Sequence, residues 1–348
     1  MEVSNEIIKW KQVIREEGAE ALKGADSNLL KNSEFMLSMA KEDIDCLQYL
    51  DDDLQTKEFF LTIMEETKDK DPYADVLAYS KFDLDSEFFL DAISINYNVL
   101  RYANFTFVDN DNFMFKAAQI DVRALGYASY TLLNYPEFML DMIEIEEKAV
   151  CYLGKTLQTT NFMLFAADKN PKCMKHAKRK FRGDPTVMGY AVKSDPDSLQ
   201  FGTRKVRNTW EIVALGLERE EIRDIPYNER NCFRYAGRKI QNNPKDVESA
   251  IDLNPYAYRY ASPKVQGLIS IQEFTCIKYR EIFGVTGLSD DKILNAIRNN
   301  AVLIPFDNGK KQKKPERHNF VPQVNIIQLP RQGTQPERGT QPEGHDGH

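Results

Sequence analysis

The chain has 348 residues, 42% hydrophobic and 28% charged, which is the mixture of an ordinary folded protein with ample length for a buried core. No apolar run approaches the roughly 18 residues needed to span a bilayer, so a transmembrane segment is excluded. Residues 1–13 show no signal peptide, and a cytoplasmic location is expected, with export by another route left open. The five cysteines, Cys46, Cys151, Cys173, Cys232 and Cys276, are odd in number and widely spaced, as expected of free thiols in a reducing compartment.

Taken in chain order, one short pattern keeps returning. An aromatic or apolar anchor stands at Trp10, Phe35, Phe59, Phe88, Phe113, Phe138, Phe162, Val187 and Trp210, mostly 23 to 25 residues apart. Asp246 fills the next slot, with Val247 supplying the apolar contact. Four residues after each anchor comes an apolar side chain such as Met39, Ala92, Ala117, Met142 or Ala166, which puts both on one face of a short helix. Fourteen residues after most anchors stands a ring: Tyr49, Tyr102, Tyr127, Tyr152, His176, Phe201 and Tyr260. Tyr79 and Tyr235 arrive late, so insertions are expected near residues 69–80 and 218–237. Apolar residues precede each ring by two positions and follow it by five, so a second helix is expected in each unit.

The turns agree with this register. Asp43, Asn96, Asp121, Asn170, Asp195 and Asn254 precede the ring by six and are natural N-caps, because their side-chain oxygens satisfy free amides of the first turn. Pro171, Pro196 and Pro255 follow directly, where a missing N–H is harmless. Two helices of about two turns are too short to stand alone, so neighbouring units must stack. The expected fold is all-α: an α-solenoid of about ten two-helix repeats of roughly 25 residues. Residues 1–31 form an N-terminal helical cap or degenerate first repeat, 32–265 the array, 266–304 the C-terminal capping helices and 305–348 a disordered tail.

The segments Leu100-Arg101-Tyr102-Ala103, Leu125-Gly126-Tyr127-Ala128-Ser129 and Tyr258-Arg259-Tyr260-Ala261-Ser262 resemble a repeat family catalogued as domain of unknown function forty-one sixteen. The likeness runs over roughly residues 32–264 and fails at the two insertions. It implies a helical repeat fold and transfers no catalytic residue.

No enzyme signature stands out, and no catalytic, cofactor or metal residue is assigned. Gly154-Lys155-Thr156 lacks the upstream glycine of a phosphate loop, that position being Ala149, and it falls on a repeat helix. Cys173 and His176 have no second pair to complete a zinc site. The regular tyrosines read as packing, with hydroxyls reaching the surface or an acceptor.

Charge is the feature that rises above background. Residues 1–150 hold 14 basic and 31 acidic side chains, and residues 151–348 hold 32 and 22. The candidate binding residues are Lys172, Lys175, Lys178, Arg179, Lys180 and Arg182, with Arg204, Lys205 and Arg207 one repeat later. Equivalent placement in neighbouring repeats makes a basic stripe suited to an acidic partner. A non-enzymatic protein-interaction scaffold is the leading expectation, and nucleic-acid or other anionic-ligand binding through this stripe is the alternative.

Overall fold

The computed structural model describes residues 2–219, 231–299 and 301, and every regular element among them is a helix. The all-α expectation therefore holds for the described residues. Helices of ten residues recur as Ser86–Ile95, Asp111–Ile120, Pro136–Ile145, Thr160–Lys169 and Pro185–Ser194. Their starts are capped from the sequence: Asp85 accepts from Phe88 N at 2.9 Å, Asn110 from Phe113 N at 2.8 Å and Thr159 from Phe162 N at 3.3 Å. Where Tyr135 offers no capping side chain, Pro136 opens the helix instead.

Each of these helices buries a wider stripe than the anchor and its +4 partner. Phe88, Phe89, Ala92 and Ile93 are buried together, as are Phe162, Met163, Ala166 and Ala167. The cause is packing on two sides. The Thr160–Lys169 helix lies between Pro136–Ile145 and Pro185–Ser194, so it has no free flank within the stack.

The second element differs from the expected two-turn α-helix. It is a 3-10 helix, as in Tyr97–Tyr102, Val122–Tyr127, Glu147–Tyr152 and Pro196–Phe201, followed by a separate four-residue turn of α-helix in most units. Only six residues separate an extended cap from an extended exit residue. Over so short a run, bonding three residues apart closes more hydrogen bonds than bonding four apart. The expected caps all serve: Asp43, Asn96, Asp121, Asn170, Asp195 and Asn254 each accept from the amide two residues on.

Three residues per turn also explains a slot that the sequence reading passed over. The residue three before each ring, Cys46, Val76, Val99, Ala124, Ala149, Cys173, Ser198, Cys232 or Ala257, has no exposed surface. Three of the five cysteines are therefore one small buried position. Burial pushes the Cys46 and Cys173 thiols up to about 12, so they are neutral packing groups near pH 7.

The insertion near 69–80 has its own device. Asp71 is 4% exposed and its two oxygens accept from Asp75 N and Val76 N at 2.9 and 3.0 Å. It replaces the missing cap, because Ala74 occupies that place in the left-handed region at φ 57°. Residues 220–230 of the second insertion and the expected tail, 305–348, lie outside the described residues.

At the ends, the helices lengthen to Glu2–Glu17 and Ile269–Phe283. The ring of Tyr256 meets Tyr279 and Phe283 at 6.0 and 5.9 Å. Of the apolar side chains opening the expected C-terminal capping region, Ile271 is buried and Phe274 half-buried, but Leu268, Ile269 and Ile277 stay exposed. The Asp290–Arg298 helix packs on this last helix without covering those three.

Phe113 tests the core. It is 7% exposed and its ring stands 5.2 Å from Phe107 and 6.4 Å from Phe89. Phe113→Ala should lower stability by about 3–5 kcal/mol while keeping a helical far-UV spectrum. A loss below about 1 kcal/mol in chemical denaturation would place the ring outside the core.

Candidate interaction surface

The basic residues are positioned by the short turn helices that leave each ring. These are Phe105–Val108, Tyr130–Leu133, Arg179–Arg182, Arg204–Arg207, Arg238–Gln241 and Pro263–Gln266, with the 3-10 turn Lys155–Leu157 in the same place. The third residue of each points inward: Leu132, Leu157, Phe181, Val206, Ile240 and Val265 are buried. The first two are thereby turned out to solvent.

Backbone hydrogen bonds tie most consecutive turns together, and between the Lys155–Leu157 and Arg179–Arg182 turns the side chains of Lys178 and Lys180, both bonded to Gln158, make the link. Ser129 N donates to Val108 O at 2.8 Å, Gly154 N to Leu133 O at 2.7 Å and Thr203 N to Arg182 O at 2.9 Å. Gly237 N to Arg207 O at 2.6 Å and Ser262 N to Gln241 O at 2.9 Å continue the series. Each bond joins the residue two after a ring to the turn of the preceding unit.

Side chains lock the same joint. Asn134 accepts from Thr156 N at 3.0 Å, and Asn208 accepts from Lys239 N at 3.0 Å. Opposite them sit Gly154 and Gly237, where a Cβ would lie 2.3 Å from Asn134 and 2.0 Å from Asn208. Gly154-Lys155-Thr156 is thus a joint between units, with its glycine set by the neighbouring asparagine.

The nine candidate residues divide. Arg179, Lys180, Arg204 and Lys205 are exposed on two adjacent turns, Lys178 is exposed just before them, and Arg182 and Arg207 are half-buried at the turn ends. Lys178 donates to Gln158 Oε1 at 2.5 Å and Lys180 to Gln158 O at 3.0 Å. Lys172 and Lys175 belong elsewhere. They lie on the 3-10 helix Pro171–Lys175, beside a depression lined also by Glu144, Glu146 and Glu147, and Lys175 pairs with Glu147 at 3.4 Å. A single stripe from Lys172 to Arg207 is therefore corrected to two rows, the turn ridge and the 3-10 helix that carries Lys172 and Lys175, of which Lys175 is ion-paired.

The ridge also extends further than the sequence reading took it. Lys155 precedes it, and Arg238, Lys239 and Lys264 continue it, all exposed. Counting three and four residues on from Tyr152, Tyr235 and Tyr260 would have found them. Among the described residues, Arg179, Arg204, Lys205, Arg238, Lys239 and Lys264 form no ion pair.

The ring row is used internally. Every ring from Tyr49 to Tyr260 is half-buried. Tyr79 donates to Asp45 at 2.5 Å and Tyr127 to Asn98 at 2.7 Å, each acceptor lying four residues before the previous ring. The bond to Asp45 holds the Tyr79 hydroxyl up at about 12. His176 Nε2 lies 3.2 Å from Glu147 Oε1, and the buried Cys173 thiol instead faces Ala166 O. Burial works to raise Glu147, but hydrogen bonds from His176 and Lys175 outweigh it and hold the carboxyl below its usual range.

The family model described as Domain of unknown function (DUF4116) matches residues 85–133. That stretch runs from the Asp85 cap through the Tyr130–Leu133 turn and holds two consecutive units of helix, 3-10 helix and turn. It is narrower than the 32–264 span over which the residues suggest the likeness. No curated protein and no solved structure matches the chain.

The joint makes a paired prediction. Gly237→Ala should cost about 1–3 kcal/mol through its clash with Asn208, and adding Asn208→Ala should recover part of that loss. Thermal unfolding of the single and double variants checks it. Additive losses would show that the two positions do not share the joint.

Proposed function

We propose that the chain is an α-solenoid of about ten stacked units acting as a non-enzymatic protein-interaction scaffold, with its longer terminal helices as caps. Its partner is an acidic polypeptide held by the turn ridge. The observation that carries this reading is the run of exposed, unpaired cations at one offset on consecutive turns: Arg179 with Lys180, Arg204 with Lys205, and Arg238 with Lys239. Charges on the other rows tend to be matched locally, as in Lys175 with Glu147, Arg101 with Asp75 and Lys41 with Glu66. The free thiols, four of them buried, fit a reducing compartment such as the cytoplasm.

Affinity capture with the wild type and with an Arg204→Glu, Lys205→Glu, Arg238→Glu, Lys239→Glu variant tests the reading. The variant should keep its helical content and lose the same acidic polypeptide, whose retention on the wild type should fall as salt rises. Unchanged capture overturns the reading. Absorbance at 260 nm that copurifies with the wild type and disappears in the variant would assign the ridge to nucleic acid.

A further inference from the structure

The residues three and four after successive rings run Asp52-Asp53 (in the 3-10 turn Asp52–Leu54), Phe82-Asp83, Phe105-Thr106, Tyr130-Thr131, Lys155-Thr156, Arg179-Lys180, Arg204-Lys205 and Arg238-Lys239. Phe82-Asp83 lies in a bend rather than a helical turn, and Phe82 alone is half-buried. The ridge is acidic at its start, neutral and aromatic in the middle, and basic toward its end. Packing accounts for Phe82, whose ring stands 5.2 Å from Phe60 and 5.4 Å from Phe88, but not for the order of the exposed residues around it. Phe105 and Tyr130 are 66% and 69% exposed, large apolar rings left in water on adjacent turns.

We propose that this ridge is self-complementary and that a second copy of the chain docks on it in antiparallel fashion. The inference rests on the reading of the ridge as the binding surface and adds another copy's acidic end as the occupant of the Lys155 and Arg179-Lys180 part of it. A two-fold axis between the Phe105 and Tyr130 turns brings three pairs of turns together. Phe105 of one copy meets Tyr130 of the other, the turn of Asp83 meets that of Lys155, and Asp52-Asp53 meets Arg179-Lys180. Charges of −2, −1 and 0 thus face +2, +1 and 0 in the same order. That is the reciprocity a two-fold interface requires, residue i touching j and j touching i.

At the acidic end Lys81 lies 2.7 Å from Asp52 and Lys31 lies 3.5 Å from Asp53, but the two carboxylate side chains remain 82% and 77% exposed. They stay open to a second cation on their outer side. With neighbouring elements about 10 Å apart, six turns make a strip about 50 Å long and bury on the order of 1,000 Å² in total. That area lies at the low end for specific association, so the dimer is weak, reversible and salt-sensitive. Arg204, Lys205, Arg238, Lys239 and Lys264 fall outside the self-contact and stay free for another acidic chain.

Sedimentation of the purified full chain tests this. The wild type should be dimeric at tens of micromolar in about 50 mM salt and dissociate at least about tenfold more readily at about 500 mM. Arg179→Asp with Lys180→Asp should be monomeric, and so should Asp52→Lys with Asp53→Lys. An equimolar mixture of the two variants should form a heterodimer, since every facing pair is then again opposite in sign, and that recovery also shows both variants folded. A wild type that stays monomeric, or a mixture that fails to associate while a wild-type dimer exists, overturns the inference. If the wild type is monomeric yet the Arg204, Lys205, Arg238, Lys239 variant loses its acidic partner, only the self-association fails. If the monomer instead binds a short single-stranded oligonucleotide through Arg179 and Lys180, the ridge reads nucleic acid and both assignments fall.

Discussion

Stacking is the constraint on which the rest of this protein depends. A ten-residue helix, a six-residue 3-10 helix and a single turn of helix are each too short to be stable in isolation. Each becomes stable only when its buried stripe meets the units on both sides. The small residue four after the anchor, Ala92, Ala117, Ala166 or Ala191, lets neighbouring helices come close. The fully buried slot three before each ring does the same for the 3-10 row. A charged side chain at either position, or a larger one where alanine now stands, would push two units apart, and the disturbance would pass to both neighbours.

The joint at the turns shows how the same end is reached with different residues. Asn134 faces Gly154 and Asn208 faces Gly237, while in the unit between them Gly183 faces Thr203. The bulk changes sides and the backbone bond into the preceding turn is kept. Size complementarity across the joint, rather than identity at one position, is what the fold requires. The Asp71 device in the first insertion follows the same logic, since a carboxylate from a different position satisfies the amides that an N-cap would otherwise serve.

Stacking leaves few exposed positions free of a structural task. The inward third residue of each turn is committed to the core, and Tyr79 and Tyr127 are bonded to the −4 residues Asp45 and Asn98 of the preceding unit. The first two residues of each turn are free to vary, and it is there that the ridge passes from aspartate through aromatic rings to arginine and lysine. In the proposed solenoid these pairs would stand at regular intervals along a line, where a one-dimensional charge pattern can be read by a partner of matching order.

The unit length, the caps, the anchor helices and most of the buried anchors were legible in the sequence, because periodicity and Asx caps are local properties of the chain; Trp10, Phe59 and Trp210 are only half-buried. So were the two basic clusters, since charge runs need no fold to be seen. The 3-10 character of the second element was not legible, because it follows from how six residues close their hydrogen bonds between two fixed extended residues. The glycines at 154 and 237 were equally opaque, as the group that demands them lies some 20 to 30 residues away in the preceding unit. Only the tertiary structure separated Lys172 and Lys175 from the turn ridge and joined Lys155, Arg238, Lys239 and Lys264 to it. Which residues share a ridge is decided by the stacking of units, and distance along the chain does not record it.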